Sequence, residues 1–151
     1  MIFINKFVMK MNFNLRFFIS WISCALVMFS LFYVWHGIFL NDFKRIQFPV
    51  GLFVSFAAIT YLILSFGIYL FFESTLMKRF RKIFLKGLLV GILSGFTIFI
   101  IATIIHISLA KNLNSEHLLM NCSWQIAEQT IGAFVIVLFK VLIRDNKFQD
   151  A

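Results

Sequence analysis

Charged residues are scarce in this chain, and acidic residues are the scarcest. Only 13% of the residues are charged, and the six acidic side chains are outnumbered by fourteen lysines and arginines. A soluble domain usually has about a quarter of its residues charged and about half of them apolar. With 62% hydrophobic residues and a mean hydropathy of +0.95, the composition excludes an ordinary soluble domain.

Sequence motifs for catalysis and metal binding are also missing. The chain has no glycine-rich phosphate-binding loop, no nucleophile elbow and no CxxC pair. None of the three histidines has a second histidine or a glutamate at metal-ligand spacing. We therefore predict no catalytic residues, no metal site and no cofactor, and the sequence favours a protein that is not an enzyme.

Four long stretches with almost no charge divide the sequence, and the single proline, Pro49, lies just before the second of them. Each stretch is close to the ~20 residues with which a helix crosses a ~30 Å hydrocarbon core. Because backbone groups inside hydrocarbon must be hydrogen-bonded within their own segment, we predict that all four are helices. The chain is thus predicted to be one all-α transmembrane domain, residues 1–151, with spans near 17–40, 50–72, 87–110 and 118–142.

Lysines and arginines are distributed unevenly between the two sides of these spans. Eleven lie in the N-terminal segment, the second connection and the C-terminal end, whereas three lie in the first and third connections. The positive-inside rule assigns the richer side, and so both termini, to the cytoplasm. Short connections make sequential helices antiparallel neighbours, which predicts an up-down-up-down four-helix bundle. The expected location is a cell membrane, with a bacterial cytoplasmic membrane favoured.

The net charge of +8 raises the question of an anionic partner. The basic residues lie at the ends of spans, where orientation explains them, so no nucleic-acid partner is predicted. The predicted partner is the lipid bilayer, and a homo-oligomer or a larger membrane complex stays open. The basic run Lys78–Lys82 also attracts anionic lipids, but we interpret that contact as incidental to its role in orientation.

Span three carries Gly87, Gly91 and Gly95 at four-residue spacing. Small residues on one face let two helices approach closely in a membrane, where close fit rather than hydrophobicity drives association. This glycine face is predicted to be a helix-packing surface. Packing inside one bundle is favoured over a homodimer interface.

Three ionisable residues stand out inside the predicted spans, Glu128, His106 and His36, whereas Lys140 lies at the inner end of its span, where its charge can reach the interface. A charge at the bilayer centre costs at least ~2.5–3.5 kcal/mol, so such a residue usually faces the protein interior or water. In the predicted orientation all three fall in the outer half of the bilayer, at overlapping depths. Gln125 and Gln129 share a helix face with Glu128, which gives span four a polar stripe.

Two interpretations of these polar residues are open. In the first, an outward-facing pocket uses Glu128 as a proton or cation acceptor, with His106 or His36 as its partner. In the second, which the sequence favours, Glu128 and the two glutamines form a structural hydrogen-bond network while the histidines reach the interface.

Three functions are compatible with this pattern. The first is the handling of a proton, an ion or a small solute through the outer polar pocket. The second is a non-catalytic role as an accessory or assembly subunit of a larger membrane complex. The third is a membrane enzyme that acts on a lipid or a quinone with histidine and glutamate as acid and base.

Overall fold

The computed structural model describes residues 14–44, 47–109 and 115–143, and these residues form helices and short turns without any strand. Five α-helices follow one another, with a π-helical segment after the first and a short 3-10 turn after that segment. They are α1 (Leu15–Phe32), the π-helical segment (Tyr33–Phe39), the 3-10 turn (Asp42–Lys44), α2 (Val50–Glu73), α3 (Thr75–Lys78), α4 (Ile83–Leu109) and α5 (Ser115–Leu142).

Four of these helices are long and apolar enough to cross a membrane, which confirms the predicted number of long apolar helices. By length and composition they cover Leu15–Phe39, Val50–Glu73, Ile83–Ile105 and Leu118–Leu142. Together they indicate a small multi-pass membrane protein.

Helix α4, the third of the long helices, starts at Ile83, four residues before the predicted boundary near residue 87. The added turn contains Lys86, whose ammonium group lies 4.0 Å from the centre of the Phe72 ring. A lysine of this kind can bury its aliphatic stem and keep its charge at the helix end, so the helix is longer than its uncharged stretch.

The helix ends follow from local chemistry. The side chain of Asn14 accepts a hydrogen bond from the backbone N–H of Phe17 at 3.0 Å and so caps the start of α1. Asn41 has a φ of 55°, a left-handed conformation that asparagine tolerates better than most residues, and the chain turns there. Ser74 has extended backbone angles and separates α2 from α3.

Helix α5 lies between α1 and α4 and contacts both. The three glycines of α4 are buried against it. A Cβ atom at Gly95 would lie 2.6 Å from the Cα of Ile126, and one at Gly87 would lie 2.6 Å from a methyl carbon of Val137. As the residue number increases along α4, the number of the contacting residue on α5 decreases. The two helices are therefore antiparallel, and they are close enough to exclude side chains between them.

Aromatic rings join α1 to α2. Phe17 packs edge-on against Tyr69 with ring centroids 4.8 Å apart, and Phe32 lies 5.4 Å from Tyr61. The indole N–H of Trp21 donates to the carbonyl oxygen of Leu62 at 2.8 Å. These pairings also run in opposite directions along the two helices, so α1 and α2 are antiparallel.

The outer surfaces of α2 and α4 are apolar. Each helix exposes large side chains that are more than half accessible: Leu52, Phe56, Ile59 and Ile63 on α2, and Phe84, Ile101, Ile104 and Ile105 on α4. Soluble monomers rarely expose contiguous apolar patches of this kind, so this surface suits a hydrocarbon environment.

Candidate functional site

The π-helical segment at the end of α1 directs two rings towards α5. Its i to i+5 geometry is seen in the hydrogen bond from the N–H of Leu40 to the carbonyl oxygen of Trp35, at 2.9 Å. The indole of Trp35 stacks on that of Trp124, with centroids 4.1 Å apart and planes 8° apart. π-Helical segments are rare in proteins, and those that occur are often found at functional sites.

A cavity of about 220 Å³ opens beside this tryptophan pair. Polar side chains from three helical segments line it: His36 from the π-helical segment, Thr103 from α4, and Asn121 and Gln125 from α5. Apolar side chains, among them Phe99 and Leu118, complete the lining. A cavity of this size with several polar groups has room for a few water molecules or a small solute. Two of the predicted pocket residues, His36 and Gln125, therefore line one cavity.

Glu128 and Gln129 lie deeper along α5 than this cavity. Their exposed fractions are 1% and 0%, so both are buried in the helix interface. Glu128 is three residues beyond Gln125, which corresponds to about 4.5 Å along the helix axis. Neither residue lines the cavity. The structure thus separates the predicted site into two cavity-lining side chains and two buried ones.

Tyr61 of α2 is the aromatic residue that faces Glu128. Its hydroxyl interacts electrostatically with the Glu128 carboxyl group, although the geometry is not that of an ordinary hydrogen bond. Tyr61 is itself buried, and Ser65, one turn further along α2, is buried as well. The carboxyl group therefore lies where α1, α2 and α5 meet.

The polar groups around Glu128 are not joined into a network within the part of the chain that the structure describes. Seven buried side-chain atoms on residues 124–130 have no hydrogen-bond partner there: Trp124 Nε1, Gln125 Oε1, both carboxyl oxygens of Glu128, both amide atoms of Gln129 and Thr130 Oγ1. Folded proteins leave only a few buried polar groups per hundred residues unpaired. Such a concentration on two turns of one helix is therefore unusual.

Gly132, one turn beyond Glu128, lets α1 approach α5. A Cβ atom there would overlap the Met28 sulfur and would lie 3.2 Å from the sulfur of Cys24. Both sulfur side chains are fully buried. Beyond Glu128, the contact between these helices is therefore tight and apolar, which closes the polar region on the side away from the cavity.

His106 is the predicted site residue that this geometry does not place. Its backbone belongs to α4, but its side chain lies outside the described residues. Among the described residues, no three side chains of the histidine, cysteine, aspartate and glutamate types come together in a way that would hold a metal ion.

Sequence reasoning missed Tyr61 and Thr130. Tyr61 carries a hydroxyl in the middle of an otherwise apolar span, and that signal was available in the sequence. Its partner was not, because hydropathy does not report how a helix is rotated about its axis. Thr130 follows Gln129 directly, and only its contact with Gly91 of α4 shows that it is enclosed.

No protein-family model, curated protein or solved structure matches this chain.

Proposed function

We propose that this chain is a small multi-pass membrane protein in which Glu128 takes up and releases a proton that arrives through the outer cavity. The proposed topology is an up-down-up-down bundle in the cytoplasmic membrane with both termini in the cytoplasm. The proposed partner of its outer surface is the lipid bilayer. The observation that carries the proposal is the buried Glu128 carboxyl group, which faces the Tyr61 hydroxyl without an ordinary hydrogen bond and lies one helical turn below the cavity.

The two ends of the bundle differ in a way that supports this orientation. Arg16, Lys86 and Lys140 lie at one end, where the Arg16 guanidinium donates to the carbonyl oxygen of Lys140 at 2.6 Å. The stacked pair Trp35 and Trp124 lies at the other end. Basic residues favour the cytoplasmic side of a span and tryptophans favour its interfaces. The cavity then opens on the outer side.

Proton uptake suits the chemistry around Glu128 better than a structural role does. A carboxylate buried in a medium of low polarity is costly unless it is paired, whereas its protonated form needs much less compensation. The side chains that would make a structural network are present, but seven of their polar atoms on residues 124–130 have no hydrogen-bond partner among the described residues. Gln125 lines the cavity on the same helix face and provides a polar side chain between the cavity and Glu128.

The proposal can be tested by infrared difference spectroscopy of the full chain in lipid nanodiscs. A step in pH should change the C=O stretching band of one buried carboxylic acid. The variant Glu128→Gln should lose that band, while Glu128→Asp, which keeps the carboxyl group, should retain it at a shifted position. Glu73→Gln removes the carboxyl group at the other end of the bundle and should leave the band unchanged.

Two results would overturn proton uptake at Glu128. One is a pH-difference spectrum that is the same in the wild type and in Glu128→Gln, with both proteins folded and equally abundant. The other is a band that responds to the pH step only when Glu73 is present. Either result would favour the accessory role, in which the chain has no chemistry of its own.

A further inference from the structure

The opposite end of the bundle contains a second cleft, with a volume of about 300 Å³. Four basic side chains line it: Arg16 of α1, Arg81 of the loop before α4, Lys86 of α4 and Lys140 of α5. They come from four different segments, so their convergence is a product of the fold. Of the basic run Lys78–Lys82, only Arg81 lines the cleft.

The charges that line this cleft are strongly unbalanced. Among the described residues, its one acidic lining residue is Glu73 at the end of α2, which forms an ion pair with Lys140. The described lining therefore has four cationic side chains and one anionic side chain. Lys86 lies over the ring of Phe72 rather than against a carboxylate, and Lys78 repels it electrostatically.

The cleft also has an apolar component. Phe72, Phe80 and Ile83 line it beside the basic groups. Ile83 is the first residue of a helix that is apolar enough to cross a membrane, so the cleft lies at the level where a span ends. Basic pockets between membrane helices at that level bind the phosphate-bearing head groups of anionic lipids.

We infer that this cleft is a binding site for the head group of an anionic phospholipid, with Arg81 and Lys86 as the side chains that hold the phosphate. The inference depends on membrane insertion but not on proton uptake at Glu128. It also changes the interpretation of the basic run Lys78–Lys82, because Arg81 lines the cleft whereas the other basic residues of the run are exposed outside it.

Binding is measured on the full chain in a nonionic detergent by native mass spectrometry, with dioleoylphosphatidylglycerol as the probe. The nonionic detergent removes the surface potential of an anionic bilayer, so general attraction to a charged membrane does not contribute. The wild type should retain this lipid in preference to dioleoylphosphatidylcholine. Each basic group near an anionic lipid contributes about 1 kcal/mol, so the double variant Arg81→Gln with Lys86→Gln should bind about 30-fold more weakly.

The matched control is the double variant Arg79→Gln with Lys82→Gln. It removes the same two residue types from the segment just before α4, where both side chains are exposed and neither lines the cleft. Its affinity should stay within about threefold of the wild type. The charge-preserving variant Arg81→Lys with Lys86→Arg should also bind. If the neutral cleft variant does not fold, Arg81→Gln alone, at an exposed loop position, should weaken binding about fivefold.

Three results would overturn the inference. Equal weakening in the cleft variant and the control would show general basic attraction. Equal retention of phosphatidylcholine would show that the anionic head group is not recognised. Displacement of the lipid by inorganic phosphate at the same concentration would show a site for a free anion.

The variant Glu128→Gln separates this inference from the proposed function. It should retain the lipid as the wild type does, whether or not Glu128 exchanges a proton. If that variant lost the lipid while it remained folded, the two ends would not be independent and the cleft would not be a separate site.

Discussion

Two positions on α5, Lys140 near its C-terminal end and Glu128 near its middle, show opposite solutions to the placement of polar groups in an apolar helix. At the basic end, Lys140 is paired with Glu73, its backbone carbonyl accepts from Arg16, and its ammonium group lies about 5 Å from the rings of Tyr69 and Phe72. Some 12 residues away, Glu128 and its neighbours are buried with unpaired polar atoms in the described part of the chain.

This difference indicates that stability alone does not account for the Glu128 region. An ion pair near a helix end holds elements together and can relax towards the head groups. A carboxyl group that is 1% exposed and has no ordinary hydrogen bond among the described residues lowers the stability of the fold, which is typical of a site kept for another purpose. Substitutions at Glu128 and at the Lys140–Glu73 ion pair should therefore have opposite effects on the free energy of unfolding.

The largest expected effect is at the glycine contact that packs α4 against the middle of α5. In Gly91→Ala, the new Cβ would overlap the Cα of Thr130, and a backbone atom cannot move without displacing α5. We expect the free energy of unfolding to fall by about 3 kcal/mol, at the upper end of the usual range for overpacking. Reversible unfolding in SDS, followed by circular dichroism, would measure it.

Gly67→Ala is the matched control for this substitution. Gly67 lies in α2, is exposed and has open space where a Cβ would be. Alanine should therefore stabilise the helix there by about 0.5–1 kcal/mol. Equal effects at the two glycines would mean that α4 and α5 do not pack as closely as described.

The second prediction concerns the cost of the buried carboxyl group. Glu128→Met replaces it with an apolar side chain of similar length and should raise the free energy of unfolding by about 1–3 kcal/mol, because an unpaired buried polar group is removed. The same SDS titration would measure this gain. A loss of stability would show that the carboxyl group has a structural partner and would favour the network interpretation.

The third prediction concerns the paired end. Glu73→Gln removes the partner of Lys140, whose side chain is 12% exposed, and should lower the free energy of unfolding by about 1–2 kcal/mol. A double-mutant cycle with Lys140→Met would isolate the coupling between the two side chains. A coupling energy near zero would show that the Lys140–Glu73 pair contributes no stability and would remove the contrast with Glu128.

The smallest expected effect is at the tryptophan stack. Trp35→Phe keeps an aromatic ring but weakens the stacking with Trp124, and should cost about 0.5–1.5 kcal/mol. Quenching of tryptophan fluorescence by a water-soluble quencher should increase as the cavity opens beside Trp124. Unchanged quenching would show that the stack does not shield the cavity.

The architecture was more predictable than the site. Four apolar helices were expected and are present, because hydropathy summed over about 20 residues is a local property of the chain. The extension of α4 to Ile83 was missed, since Lys86 reads as a boundary until its contact with Phe72 is known. The π-helical segment was missed for a similar reason, because its residues are ordinary components of an apolar helix.

Within the site, the sequence predicted that Glu128, Gln125 and Gln129 share one helix face, but it did not show that Gln125 lines a cavity while Glu128 and Gln129 are buried in an interface. It also did not show that Tyr61 faces Glu128, or that Arg81 and Lys140 line the same cleft. Each of these relations depends on how helices are rotated and on which pairs are adjacent.

By itself, the sequence determined how many helices are long and apolar enough to cross a membrane, and where along the chain the basic residues concentrate, because both follow from residues close together in the chain. Only the tertiary structure decided that α5 lies between α1 and α4 and which polar atoms are left unpaired. Those outcomes depend on contacts at glycines and sulfur atoms that lie far apart in the sequence. The physical reason is that burial in lipid selects helices by composition, whereas close packing selects their partners by shape.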